Sequence, residues 1–274
     1  MTVTVAPTAR ASVLISPQDA VRALDSVFLE ASREPLEPSA ARIEGAHVAV
    51  LTPDLAGDPS PDGGRFPLPD PDRLAATLTR WGIRRGTSVI VAARTPADST
   101  IATRAWFVLR WAGIDDVRVL DGGRGAWVAA GGSLGSGPAS SAAARGVPSG
   151  VVGAKPSLSA VPPLDADGAR DVASEGVLID ARPESAFERG RIPGAVNAPG
   201  GALFRDGRLL PDEELRRWAE ALGAAPDAPV AAYCGGGVAA SATVFALHSL
   251  GIPAGLYVGS WSAWSADSGR PVER

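Results

Sequence analysis

The same order of landmarks occurs twice along these 274 residues, and that duplication restricts the chain to two copies of one α/β unit. Leu29-Glu30-Ala31 precedes Arg42-Ile43-Glu44-Gly45-Ala46 as Ile179-Asp180-Ala181 precedes Arg191-Ile192-Pro193-Gly194-Ala195. The apolar run Val89–Ala93 matches residues 230–234. Each run is followed by a helix-compatible stretch, a Gly-Ile pair (Gly113-Ile114 and Gly251-Ile252) and a short strand (117–120 and 256–258). Both halves then carry Gly-x-x-x-x-Trp, at 122–127 and 259–264. Repeats of this length are domains rather than solenoid units. Residues 131–157 are dominated by Gly, Ser, Ala and Pro and read as a connection. The expected division is a first domain over 1–135, a linker over 136–157 and a second domain over 158–274. Short apolar strands alternate with helices expected at 72–81, 100–112, 212–222 and 238–250. That alternation predicts an α/β fold, each half a mainly parallel sheet with helices on both faces. Such sheets place function at the carboxyl ends of their strands.

One strand end carries distinctive chemistry. Cys234, the single cysteine, follows the small apolar run 229–233 and is followed by Gly235, Gly236 and Gly237, then by Val238, Ala239 and Ala240 at a helix start. A thiol between a strand end and a helix start faces unpaired backbone N–H groups and the positive end of a helix dipole, which favours thiolate. Glycines let the backbone curl around an anion carried on the sulfur. The alternative is an inert core cysteine beside a glycine turn. The first half has Ala93 at the matching position, followed by a longer loop, 94–100, without glycine. The first domain is therefore expected to be chemically silent there and to support the second.

Composition narrows the rest. The apolar fraction of 45% and charged fraction of 20% are those of an ordinary globular protein. A net charge of −4 without a basic cluster argues against nucleic acid as a partner. One cysteine excludes an internal disulfide and a thiolate metal cluster, and two histidines leave little for another metal site, so neither metal nor cofactor is expected. No segment approaches a membrane span and no signal peptide is read at the start, so the expected location is cytoplasmic.

These features resemble the tandem-domain rhodanese family, the thiosulfate and 3-mercaptopyruvate sulfurtransferases. The resemblance rests on Tyr233-Cys234-Gly235-Gly236-Gly237-Val238-Ala239, on residues 256–264, on Gly64-Arg65-Phe66-Pro67-Leu68-Pro69 and on Val119-Leu120-Asp121-Gly122-Gly123. It implies two rhodanese-like domains, the first inactive, and a Cys234 persulfide that takes sulfane sulfur from thiosulfate or 3-mercaptopyruvate. A thiol or cyanide acceptor then removes it, the thiol belonging to a small molecule, a thioredoxin-like protein or a biosynthetic sulfur acceptor. The loop N–H groups from Gly235 to Ala240 are expected to stabilise the outer sulfur. Trp261, in the turn beside the loop, is expected to wall the pocket, with Ser260 and Tyr233 as weaker candidates. Trp264, His47 and His248 read as structural.

The chain also departs from the family pattern. Thiosulfate-specialised members usually carry basic residues just after the cysteine, and mercaptopyruvate members carry hydroxyls in the loop. Here those positions are Gly235, Gly236 and Ala239. Ala186 stands where family members usually have a donor-binding arginine, leaving Arg182, Arg189 and Arg191 as candidate cations; for Arg182 a structural pairing with a carboxylate competes. Position 240 is alanine, so the Cys-x5-Arg phosphate clamp of a phosphatase is lacking, and the glycine spacing does not suit a dinucleotide site. The competing function is a sulfur-relay or binding partner loaded by another protein, with little activity toward small donors.

Overall fold

The computed structural model describes residues 8–136 and 161–274. Most of the expected linker, 136–157, therefore lies outside the described residues. Ten strands build the two main sheets: β1 (Leu14–Ile15), β2 (Val27–Ser32), β3 (His47–Val50), β4 (Val89–Ala93), β5 (Val117–Leu120), β6 (Pro163–Leu164), β7 (Val177–Asp180), β8 (Val196–Asn197), β9 (Val230–Tyr233) and β10 (Gly255–Tyr257). The first sheet has the order β1-β5-β4-β2-β3 and the second β6-β10-β9-β7-β8, the same order strand for strand. Every pairing within them is parallel. Leu134–Gly135 pairs with Arg42–Ile43, so the start of the Gly/Ser-rich stretch belongs to the first half.

Strand composition explains the layering. β4 is Val-Ile-Val-Ala-Ala, buried throughout, as a central parallel strand covered on both faces must be. Side chains alternate across it: Val89, Val91 and Ala93 enter one apolar cluster, Ile90 and Ala92 another. β9 alternates likewise. Val230 and Ala232 enter the cluster shared with the first half, and Ala231 and Tyr233 enter a separate outer one. Cys234 continues that alternation onto the shared face.

The shared face is a single apolar core. Helix Ser99–Trp111 from the first half packs there against helix Ala239–Ser249 from the second, with Trp106 and Phe245 edge to face at 5.1 Å and Thr103 Oγ1 3.1 Å from Ser241 Oγ. Both helices are apolar around most of their circumference, as expected for helices between two sheets. Polar ties border this core: Arg10 reaches Asp212 and the carbonyls of Leu209 and Leu210, and Leu209 N–H donates to Asp121.

His248 lies on this helix pair, its ring 5.6 Å from that of Trp106. Burial pushes its pKa down from 6.5 to about 4. The unfolded chain therefore takes up a proton on His248 below pH 6.5 that the folded chain refuses until about 4. This stability is complete above pH 6.5 and is lost as pH falls toward about 4. Thermal melts in acid should show it: between about pH 7 and about pH 5, Tm should fall less in His248→Gln than in the parent chain.

Candidate functional site

Cys234 sits immediately after β9, 4% exposed, where the chain leaves the sheet before helix Ala239–Ser249. The loop curls because Gly237 adopts φ +80°, a left-handed conformation natural to glycine. That turn brings the Gly237 N–H within 3.2 Å of Cys234 Sγ. The amide hydrogens of Gly235, Gly236, Val238, Ala239 and Ala240 find no acceptor among the described residues. Polar groups this close to a core usually find partners. Here they are left without one in the segment that carries Cys234, beside the Gly237 N–H that reaches its sulfur, and such uncommitted donors suit a site that holds negative charge.

The second half fixes the loop from below. Ser260, itself at φ +53°, accepts the Cys234 N–H at 3.1 Å and donates to Tyr257 O at 2.9 Å. The N–H groups of Trp261 and Ser262 donate to the carbonyls of Cys234 (2.9 Å) and Gly235 (3.0 Å). With these carbonyls drawn downward, the loop's remaining amide hydrogens stay available.

The first half closes the site from the other side. Arg104, fully buried within helix Ser99–Trp111, donates to the carbonyls of Leu55 (3.1 Å), Phe66 (3.0 Å), Pro67 (3.0 Å) and, at 3.4 Å, Gly237. No carboxylate pairs with it among the described residues. Burial pushes its pKa down to about 10, and the negative form of Cys234 pulls it back up. A buried cation without a carboxylate is costly, and negative charge on the sulfur offsets part of that cost. The Arg65-Phe66 segment lies over the glycines. A Cβ built on Gly236 would fall 3.0 Å from the Phe66 ring and 3.2 Å from Arg65 Cβ. The space beside the loop is thus filled from the other half.

Residues 165–267 match the Rhodanese-like domain. A Pseudomonas aeruginosa protein called "Probable 3-mercaptopyruvate sulfurtransferase" is 40% identical over 84% of this chain and 83% of its own length. The chain belongs to the tandem-domain rhodanese family. The 3-mercaptopyruvate sulfurtransferase of Escherichia coli is 32% identical over 75% of each chain, and other relatives are named for thiosulfate. The crystal structure of SseA from Escherichia coli superposes with a TM-score of 0.74 at 26% identity, covering 92% of this chain and 99% of that one. This chain is accordingly a rhodanese-fold sulfurtransferase. Among the described residues no helix is long and apolar enough to cross a membrane.

The residues singled out in the sequence fall into two groups in this sulfurtransferase. Cys234, Gly235, Gly236, Gly237 and Val238 form the loop itself, and Ala239 and Ala240 open the helix that follows it. The candidate cations are placed differently. Arg182 is buried and held by both oxygens of Asp180 and by Gly190 O (2.7 Å), with its guanidinium 4.4 Å from the Trp261 ring centre. Its charge is paired with a carboxylate two residues away. Arg191 is paired with Glu273 and lies 4.6 Å over Phe187. Arg189 is exposed and without an ion pair among the described residues. Trp261 supports the loop through its backbone while its ring packs beside Gly190. Tyr233 points into the outer core, its hydroxyl accepting the Ile192 N–H at 3.1 Å, and burial holds its pKa well above the phenol range. Sequence reasoning missed Arg104, although an arginine inside the apolar run 101–109 is a visible anomaly.

A side chain at Gly237 tests the loop. Its Cβ would meet Val258 O at 2.5 Å, at a backbone angle L-residues rarely adopt. Gly237→Ala should cost about 1–3 kcal/mol in urea unfolding, and Cys234 should lose sulfur-transfer rate beyond any loss of folded protein.

Proposed function

We propose that this sulfurtransferase moves sulfane sulfur from 3-mercaptopyruvate or thiosulfate to a thiol or cyanide acceptor through a persulfide on Cys234. The observation that carries this reading is the Gly237 N–H held 3.2 Å from Cys234 Sγ, in a segment where the amide hydrogens of Gly235, Gly236, Val238, Ala239 and Ala240 find no acceptor among the described residues. In the first step the Cys234 thiolate attacks the donor's sulfur and an S–S bond forms. With 3-mercaptopyruvate the C–S bond breaks and its electron pair leaves on the enolate of pyruvate, which takes a proton. With thiosulfate the S–S bond breaks and sulfite leaves. In the second step an acceptor thiolate or cyanide attacks the outer sulfur, and Cys234 departs as thiolate. The extra sulfur carries negative charge between these steps, and the loop amides without an acceptor are the donors that stabilise it.

The same reading gives the rest of the chain its roles. The two sheets of identical order are a tandem repeat, the first copy silent because Ala93 replaces the cysteine. Residues 136–157 link the copies, and the location is cytoplasmic, where small thiols and thioredoxin-like proteins are available acceptors. Arg182 and Arg191 maintain the turns they pair within, and Trp261 anchors the loop.

Intact mass spectrometry tests the reading. Fully reduced protein incubated with 3-mercaptopyruvate or thiosulfate should gain one sulfur atom, about 32 Da, lost again on adding cyanide or a thiol and absent in Cys234→Ser. Protein that gains no sulfur from either donor contradicts the proposal and favours the relay, in which another protein loads Cys234.

A further inference from the structure

A donor that reaches the Cys234 loop brings a second negative charge, its carboxylate or sulfonate, beside a thiolate. Amide dipoles alone must then hold two anions, and the loop carries no side-chain cation. Arg104 lies beneath the loop with its donors committed to backbone carbonyls, and Arg182 and Arg191 are each paired with a carboxylate. One further guanidinium touches the loop. A Cβ built on Gly235 would lie 3.1 Å from Arg65 Nη2, and one on Gly236 would lie 3.2 Å from Arg65 Cβ and 3.6 Å from Nε. The Arg65 side chain therefore runs lengthwise across Gly235 and Gly236. It is exposed, and among the described residues no carboxylate pairs with it.

Its backbone is fixed against the same surface. The Arg65 N–H donates to Ser262 Oγ at 3.0 Å, and Ser262 N–H in turn holds the Gly235 carbonyl. Gly64, at φ +71°, is pressed so close that a Cβ there would sit 2.3 Å from Gly259 O. An unpaired, solvent-open guanidinium, mounted on a segment anchored to the cysteine loop's own support, suits recognition of an anion's oxygens by paired N–H groups.

We infer that Arg65, contributed by the first half, binds the anionic end of the sulfur donor above Gly235 and Gly236. The glycines then serve two purposes: they let the backbone wrap the sulfur, and they leave room for a cation from the other half. The donor's identity rests on the sulfur-transfer reading; the charge recognition does not.

The test therefore uses a reaction that needs no sulfur transfer. The full chain is alkylated at Cys234 with iodoacetate, an anion, and with iodoacetamide, its neutral counterpart of similar size, and rates are read by intact mass. Arg65→Gln should lower the iodoacetate-to-iodoacetamide rate ratio about tenfold, and Arg65→Lys should restore part of it. In the parent chain this ratio should fall as salt is raised, because the guanidinium is exposed. An unchanged ratio in Arg65→Gln overturns the inference, as does equal slowing with both reagents, which signifies a shaping role only. So does a ratio that falls in Arg189→Gln instead, or a parent Cys234 that neither reagent reaches. Steady-state rates extend the test: Arg65→Gln should raise KM for donor more than it lowers kcat. If no small donor loads sulfur yet the alkylation ratio follows Arg65, sulfur transfer from small donors fails while the anion site stands.

Discussion

A single buried guanidinium joins the two halves at the point where they must cooperate. Arg104 has no carboxylate among the described residues and donates instead to four backbone carbonyls, three in the first half and one, Gly237, in the cysteine loop. Leaving such a charge unsatisfied costs several kcal/mol, so those carbonyls are held in place as firmly as Arg104 itself. Phe66 and Pro67, whose carbonyls it fixes, follow Arg65, which lies over the loop. Gly237, whose carbonyl it also contacts, is the residue whose N–H points at the sulfur. The Arg65-Phe66 segment, the loop and the sulfur are thus positioned relative to one charge.

This arrangement changes the meaning of the glycine loop. In sequence, Gly235 and Gly236 look like a site stripped of its side chains. In three dimensions the missing volume is occupied by Arg65 and Phe66. A first half without a cysteine is then more than a support, because it shapes the surface above the sulfur. The shared apolar core, with Trp106 against Phe245, keeps that surface in register.

Much of the fold was legible because its signals are local. The apolar run Val89–Ala93 and the strand ending before Cys234 were found at their observed positions, and helix 238–250 appears as Ala239–Ser249. The last strand was placed one residue late, at 256–258 against Gly255–Tyr257, since glycine gives no apolar signal at its start. The loop was legible because its chemistry is contiguous in sequence. The cations were not. Asp180 neutralises Arg182 from two residues away, whereas Glu273 reaches Arg191 across 82. Ser262 meets Arg65 across 197 residues and Gly237 meets Arg104 across 133, distances at which spacing in the chain carries no information. Tyr233 shows the opposite case: strand alternation alone sends it away from the face that Ala232 and Cys234 share.

In the proposed reaction, charge on a sulfur transferred to Cys234 is received by loop amides that have no acceptor among the described residues. A crystal structure of the protein after exposure to donor and removal of excess measures this directly. The account predicts electron density for one added atom on Cys234 Sγ, within hydrogen-bond distance of at least two of the amide nitrogens of Gly235, Gly236, Val238, Ala239 and Ala240. An added sulfur directed away from those amides, or a loop whose amides have turned from it, would contradict the account.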